Sequence, residues 1–241
     1  MHDDPNLSPR STRIVATHAA LAGLCPLIPV PFVDDLAIRR IVRRMYRSLF
    51  AAHGYTIPVD GADILRASPA NRLRDAAAAV AMFPVKKVVR KLVYVLAVKD
   101  CAEVASAVFH DGWLLARVLE DARRTDSTSP EDPEFLRRVC DATLRTYEDI
   151  DPAPLRRALA SSFLAARVGV RHGLQSLRNL LRDREDTVEK PASPDGVRDL
   201  ATRVSAATRS EWQYMEALEQ SFRRHLAAPA PRDDAQANVP A

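Results

Sequence analysis

The sequence predicts an all-α fold, an irregular multi-helix bundle with a proline-linked apolar hairpin near the N-terminus. Three observations lead there. The 241 residues include only 7 glycines, against many alanines, which suits helices better than a turn-rich β architecture. Apolar residues recur at i, i+3, i+4 and i+7 along most of the chain, the period of one helix face. No segment alternates apolar and polar residues for long, as a half-buried strand does.

With 47% apolar and 27% charged residues, the chain can bury one sizeable core, or two at most, and wholesale disorder is excluded. The expected organisation is a disordered start over residues 1–10 and a helical core domain over 11–182. A flexible linker over 183–195, a C-terminal helix over 196–226 and a disordered Pro/Ala tail over 227–241 follow.

Ser11 or Thr12 can cap the first helix, which runs to about Leu24. The apolar run Ile14–Cys25 then meets a bend at Pro26, Pro29 and Pro31. Twelve helical residues span roughly 18 Å, short of a bilayer core of ~30 Å. Extending the run to Val33 places three prolines inside it, so a straight transmembrane helix does not fit. A buried hairpin and a re-entrant wedge at a membrane interface both do.

The second helix opens at Asp34 and Asp35, whose carboxylates suit an N-cap or the positive helix end. A metal site at this pair is the lesser reading. Ile38, Ile41, Val42, Met45, Tyr46 and Leu49 make one apolar face, and Arg39, Arg40, Arg43, Arg44 and Arg47 occupy the other side. Gly54 closes the helix as a C′ glycine. A basic amphipathic helix beside an apolar run suits a membrane-surface binder, and equally an ordinary solvated helix face.

A short helix at Ala62–Arg66 interrupts the loop from Tyr55 to Ser68. Ser68-Pro69 starts another helix, which carries the small run Ala76–Ala79 and ends at Phe83-Pro84. The longest helical stretch, Val85 to about Arg123, is expected to break near Asp111-Gly112. Lys86, Lys87, Arg90 and Lys91 form a second basic cluster before the apolar run Leu92–Val98. Asp132-Pro133 opens a helix through Tyr147, and Asp151-Pro152 or Pro154 opens the next, with Leu155, Leu159 and Phe163 inward. Arg167, Arg171, Arg178 and Arg182 share an arc further along. The last helix carries Val197, Leu200, Val204, Trp212, Met215, Leu218 and Phe222, and its period drifts between Val204 and Trp212. It packs back on the body or docks on a second protomer or partner.

Charge is unevenly placed. Residues 1–125 hold 18 Lys and Arg against 12 Asp and Glu, whereas residues 126–241 hold 17 against 19. The first half is therefore the side suited to an anionic surface. Of the 35 cationic residues 30 are arginine, a preference that fits a GC-rich bacterial genome and leaves many arginines as plain solvated faces. Cys25, Cys101 and Cys140 are widely spaced and odd in number, which argues against a disulfide framework or zinc site and for a reducing, cytoplasmic setting. The acidic start Met1-His2-Asp3-Asp4 is the wrong charge for a signal peptide.

Catalytic signatures do not emerge. The glycines are scattered, with no phosphate-cradling motif, no H-E-x-x-H and no G-x-S-x-G elbow, so no cofactor is expected. His110-Asp111 near Ser106 is one local group suited to acid–base chemistry, with nothing in the sequence to complete it. His18, alone in an apolar helix, reads as a core histidine. Aromatic residues do not interleave with the basic ones, which argues against nucleic acid.

Pro29-Val-Pro31-Phe32-Val33-Asp34-Asp35, followed by an amphipathic helix closing on Ala52-His53-Gly54, resembles a bacterial domain of unknown function. That domain follows the GTPase module of some Era-like GTPases and occurs in small inner-membrane proteins. The match spans about forty residues. The resemblance implies two apolar helices joined by prolines and an association with the membrane. This chain differs in its arginine-rich helix and shorter apolar segments.

Together these readings point to a non-enzymatic interaction or scaffold protein, peripheral to the inner membrane through Ile14–Arg47 and Lys86–Lys91. Its partner would be an anionic membrane surface or a protein, with homo-oligomerisation open. Two alternatives stand beside it: a soluble binding module using the last helix, and an enzyme whose site is assembled from distant residues.

Overall fold

The computed structural model describes residues 7–28, 33–66, 90–125, 129–165 and 195–228. Among them are eight α-helices and no strand: α1 (Pro9–Ala22), α2 (Val33–His53), α3 (Gly61–Arg66), α4 (Arg90–Thr125), α5 (Pro133–Asp149), α6 (Ala153–Ala165), α7 (Asp195–Ser210) and α8 (Trp212–Ala227). A 3-10 turn, Cys25–Leu27, follows α1. The fold class is therefore all-α, as the helical periodicity implies.

Local chemistry explains most boundaries. Ser8, not Ser11 or Thr12, caps α1: its hydroxyl accepts from the Ser11 N–H, and Pro9 takes the first helical position, where its missing N–H costs nothing. Order thus begins inside the stretch expected to be disordered, with Leu7 already buried. Val33 lies inside α2, so Asp34 and Asp35 sit in its first turn at the positive helix end rather than at the cap. Gly54 ends α2 at φ +84°, with Tyr55 N–H bonded to Phe50 C=O at 2.9 Å and Gly54 N–H to Ala51 C=O at 3.3 Å. This is the paired C-terminal capping pattern that a left-handed glycine allows. Asp132 caps α5 by accepting from Glu134 N–H.

The core is arranged around α4. That helix packs against α1, α2 and α6 and the 3-10 turn; α1 also touches α2 and α7, α8 packs on α5, and α3 on α5. The expected break at Asp111-Gly112 is absent, and α4 continues through both residues. Gly112 is there for contact, since a Cβ would lie 2.7 Å from Met45 Sδ of α2. Every side chain from Val108 to Leu119 is buried, which makes α4 the central helix.

Apolar residues of α1 and of the turn after it are enclosed by this packing: Val15, Ala19, Ala20, Ala22, Leu24 and Cys25 are all fully buried. Of the two readings of the apolar run, the core one holds for Ile14–Cys25, and the part of the run over residues 29–32 lies outside the described residues. No helix among the described residues is long and apolar enough to cross a membrane. Pro29 and Pro31, the helix expected after Ser68-Pro69, Lys86, Lys87 and the arginines from Arg167 to Arg182 lie outside the described residues.

The expected single last helix is two. Glu211, at φ −98° and ψ 37°, breaks it, and the hydroxyls of Thr208 and Ser210 turn back to the carbonyls of Ser205 and Ala207. Such back-bonding competes with the helix ladder and bends it. The bend sends α7 to α1 and α6, and α8 to α5. The drift in period between Val204 and Trp212 is the sequence trace of that change of partner.

Val197, Leu200, Val204, Met215, Leu218 and Phe222 are all core residues. Deleting residues 195–241 is therefore expected to abolish cooperative unfolding, read by circular dichroism during urea titration; a truncated chain that keeps a sharp transition would contradict this packing. Gly23 sets a second test. A Cβ there would overlap the Phe163 ring and lie 2.9 Å from the Cys101 carbonyl oxygen. Gly23→Ala should cost about 1–3 kcal/mol in the same titration, the usual penalty of overpacking.

Candidate functional site

Among the described residues, the outward face of α2 and a polar cluster inside the bundle carry the residues the sequence singled out. On α2, Ala37, Ile38, Ile41, Val42, Met45, Tyr46, Leu49 and Phe50 are buried. That leaves the opposite arc for the arginines. Arg39 is exposed, and Arg40, Arg43, Arg44 and Arg47 are half-buried along the helix rim. At 100° per residue, Arg40, Arg43 and Arg47 fall with Leu36 within an arc of about 60°. Leu36 is 62% exposed, an apolar residue at the end of a basic stripe. Arg43 bonds Asp63 of α3 at 2.9 Å, a pair open to water on both sides and hence weak. Arg90 and Lys91 open α4, and their side chains are outside the described set, as are Lys86 and Lys87.

The interior cluster grows from α4. His110 is fully buried, with Nε2 2.8 Å from the Tyr214 hydroxyl of α8 and its ring edge-on to Tyr147 of α5. Tyr147 donates to Asp111 Oδ1 and approaches the Ala107 carbonyl oxygen, both at 3.2 Å. Ser106 Oγ and His110 Nδ1, one helical turn apart, are enclosed and have no hydrogen-bond partner among the described residues. The local group Ser106, His110 and Asp111 therefore does gain distant members, Tyr147 and Tyr214, which sequence spacing could not place beside it.

Protonation decides what this cluster can do. Burial, helped by the charge of Arg156, lowers His110 to about 3. Burial also pushes both phenols, Tyr147 and Tyr214, above their ordinary value. A general acid or base works best with a pKa near the working pH, and each of these groups is driven away from it. The cluster is a closed polar knot joining α4, α5 and α8.

A second trio contains Ser221, His225 and Asp149. Asp149 Oδ2 receives the Ser221 hydroxyl at 2.9 Å and lies 2.7 Å from His225 Nε2. In a nucleophilic triad the imidazole stands between hydroxyl and carboxylate. Here the carboxylate stands between, so the serine is not activated and the trio fastens the end of α8 to α5. His18 is a core histidine whose Nδ1–H donates to the Ile14 carbonyl oxygen at 2.7 Å, and its pKa falls to about 4 through burial. The three cysteines are buried, and none of them is in a disulfide. No group of metal-binding side chains occurs among the described residues.

Sequence reading missed the ion pair at the heart of the bundle. Arg117, whose side chain is 3% exposed, gives Nε and Nη2 to Glu219 Oε1 at 3.0 and 2.6 Å. The signal was present. Arg117 interrupts an apolar run, and Glu219 sits four residues after Met215 on the inward stripe of α8.

No protein-family model, curated protein or solved structure matches the chain. The molecule is defined by its own geometry, as an all-α bundle with a buried polar interior and a basic outer helix.

The buried histidines make stability depend on pH. His18 and His110 have folded pKa values below the unfolded value of 6.5, so the unfolded chain binds more protons on acidification. Their contribution is complete above pH 6.5 and drains away as the pH falls toward 4. By pH 5 each should have lost on the order of 2 kcal/mol. His53, half-buried and lowered in the same direction, adds to the trend. Urea titrations at pH 7.5 and pH 5 should show the fall, and His110→Gln should make it shallower. Equal midpoints for the unmodified protein would contradict the buried, neutral histidines.

Proposed function

We propose that this protein is a non-enzymatic helical scaffold that sits peripherally on an anionic membrane surface, of the inner membrane in a bacterial cell, through the outward face of α2. One observation carries the reading: five arginines line the side of a helix whose opposite side is clamped in the core. Such a stripe is held in place before any contact is made, so little side-chain and backbone order has to be gained on binding. Each cation near an anionic surface contributes about 1 kcal/mol, and the attraction fades beyond a Debye length. Leu36 adds an apolar contact at the stripe's end. With α1 committed to the core, binding rests on charge far more than on insertion. The resemblance of the Pro29–Gly54 segment to a domain of inner-membrane proteins points the same way.

The reading that gives the last helix to a protein partner is weakened by the burial of the inward stripes of α7 and α8. The enzyme reading is weakened by pKa values displaced from neutrality.

Flotation with anionic vesicles is the test. The protein should float at low salt and stay behind at high salt, and vesicles of neutral lipid should not lift it. The combined variant Arg40→Gln, Arg43→Gln, Arg44→Gln and Arg47→Gln should lower partitioning by roughly a hundredfold or more. Undiminished flotation of that folded variant would remove the arginine stripe from the account.

A further inference from the structure

We propose that His53 is a proton-operated latch on the start of α1. Neutral, it ends a one-way chain of hydroxyl protons that ties α1 to α2; protonated, it reverses that chain and loosens the cap of α1. The chain has three members. Ser11, with no exposed surface, holds its Oγ 2.9 Å from Ser8 Oγ and 3.0 Å from His53 Nε2. Ser8 is the cap of α1, and its Oγ accepts from the Ser11 N–H at 3.2 Å. His53 is the last residue of α2, and Gly54 behind it fixes the backbone that carries the ring.

Counting protons gives the direction. A hydroxyl has one proton to give, and a neutral imidazole has one N–H. When the Ser8 hydroxyl donates to Ser11 Oγ, the Ser11 proton is left for His53 Nε2. That nitrogen must then carry a lone pair, so the ring keeps its proton on Nδ1. A second proton, taken up at Nε2, turns this acceptor into a donor. The enclosed Ser11 hydroxyl then has to turn to Ser8 Oγ, where the Ser11 N–H already ends, while the half-buried Ser8 gives its own proton to water. The cap oxygen is now shared between two donors of one residue, and its hold on the helix start is weaker. Charged groups reach His53 from two elements: Arg10 of α1, and Glu120 and Arg123 of α4. Glu120 favours the imidazolium. Burial and both arginines oppose it, which places the change on the acid side of the ordinary histidine range. The added charge also faces the positive end of α1.

Histidine side-chain NMR on the full chain is the test, since the nitrogen and carbon shifts of the ring report its tautomer. At pH 7.5 His53 should carry its proton on Nδ1, the reverse of an unconstrained imidazole, which prefers Nε2. Ser11→Ala removes the donor and leaves the Ser8 cap. The ring should then return to the Nε2–H form, and its titration midpoint should rise by about half a pH unit. Exchange of the Ser11 amide, corrected for its intrinsic pH dependence, should quicken about fivefold as His53 titrates. In His53→Gln, which keeps His18 and His110, that step should vanish. Should His53→Gln not fold, the amide at position 11 in Ser11→Ala supplies the same comparison. An Nε2–H ring at pH 7.5, a tautomer or midpoint unmoved by Ser11→Ala, or an exchange step that survives in the folded variant would each overturn the proposal.

Discussion

Between Val108 and Leu119 the central helix α4 is covered on every side, and three ionisable side chains lie within those turns: His110, Asp111 and Arg117. A polar group removed from water costs several kcal/mol unless it is bonded inside, and a charge costs far more. The rest of the architecture follows from that demand. Tyr147 of α5 reaches in to Asp111, Tyr214 of α8 to His110, and Glu219 of α8 to Arg117. Two of these three partners come from α8, so the position of the last helix is written into α4. The bend at Glu211 is what lets α8 take that position while α7 stays with α1.

A second requirement acts on the other side of α4. Where α1 ends against α4 a small residue is needed, and Gly23 supplies it: a Cβ there would lie 2.9 Å from the Ala105 Cβ and the Cys101 carbonyl oxygen. Gly112 does the same for α2 by admitting Met45. Once α1 is drawn into the interior, α2 can bury only one arc, and its arginines are left facing outward. The basic stripe is a consequence of core packing before it is anything else, and its value as a binding surface comes from being held still.

The all-α class, the amphipathic face of α2, the cap at Gly54, the short α3 and the start of α5 at Asp132-Pro133 were legible because each rests on local chemistry within one turn. The continuity of α4 was not. Glycine weakens a helix by about 1 kcal/mol in isolation, and only the contact with Met45 shows why it is retained. Ser8 was passed over as the cap in favour of Ser11 and Thr12, although Pro9 beside it marks the first turn. The candidate site divides in the same way. The arginine stripe was readable from period alone, whereas Tyr147, Tyr214 and Glu219 lie 36 to 104 residues from their partners and answer to tertiary packing. Charged residues on an apolar stripe, Arg117 and Glu219, were the one local hint of a buried pair.

One thread of hydrogen bonds and ion pairs connects these parts. At the end of α2, His53 Nε2 lies 3.0 Å from Ser11 Oγ, which is bonded to Ser8 Oγ at 2.9 Å. The Ser8 N–H donates to Glu120 Oε1 at 2.8 Å, and the same carboxylate stands beside Arg117, whose other side holds Glu219. The thread runs from the C-terminus of the basic helix, through the cap of α1, to the buried Arg117–Glu219 pair. Its members are held from two sides, so it acts as a brace and not as a hinge. Removing Glu120 would therefore be felt in two places, as a loosened start to α1 and as the loss of a carboxylate beside the buried Arg117. That dual role explains an acidic residue at this place: the carboxylate serves the helix end and the arginine together, and a lysine or alanine there could serve neither.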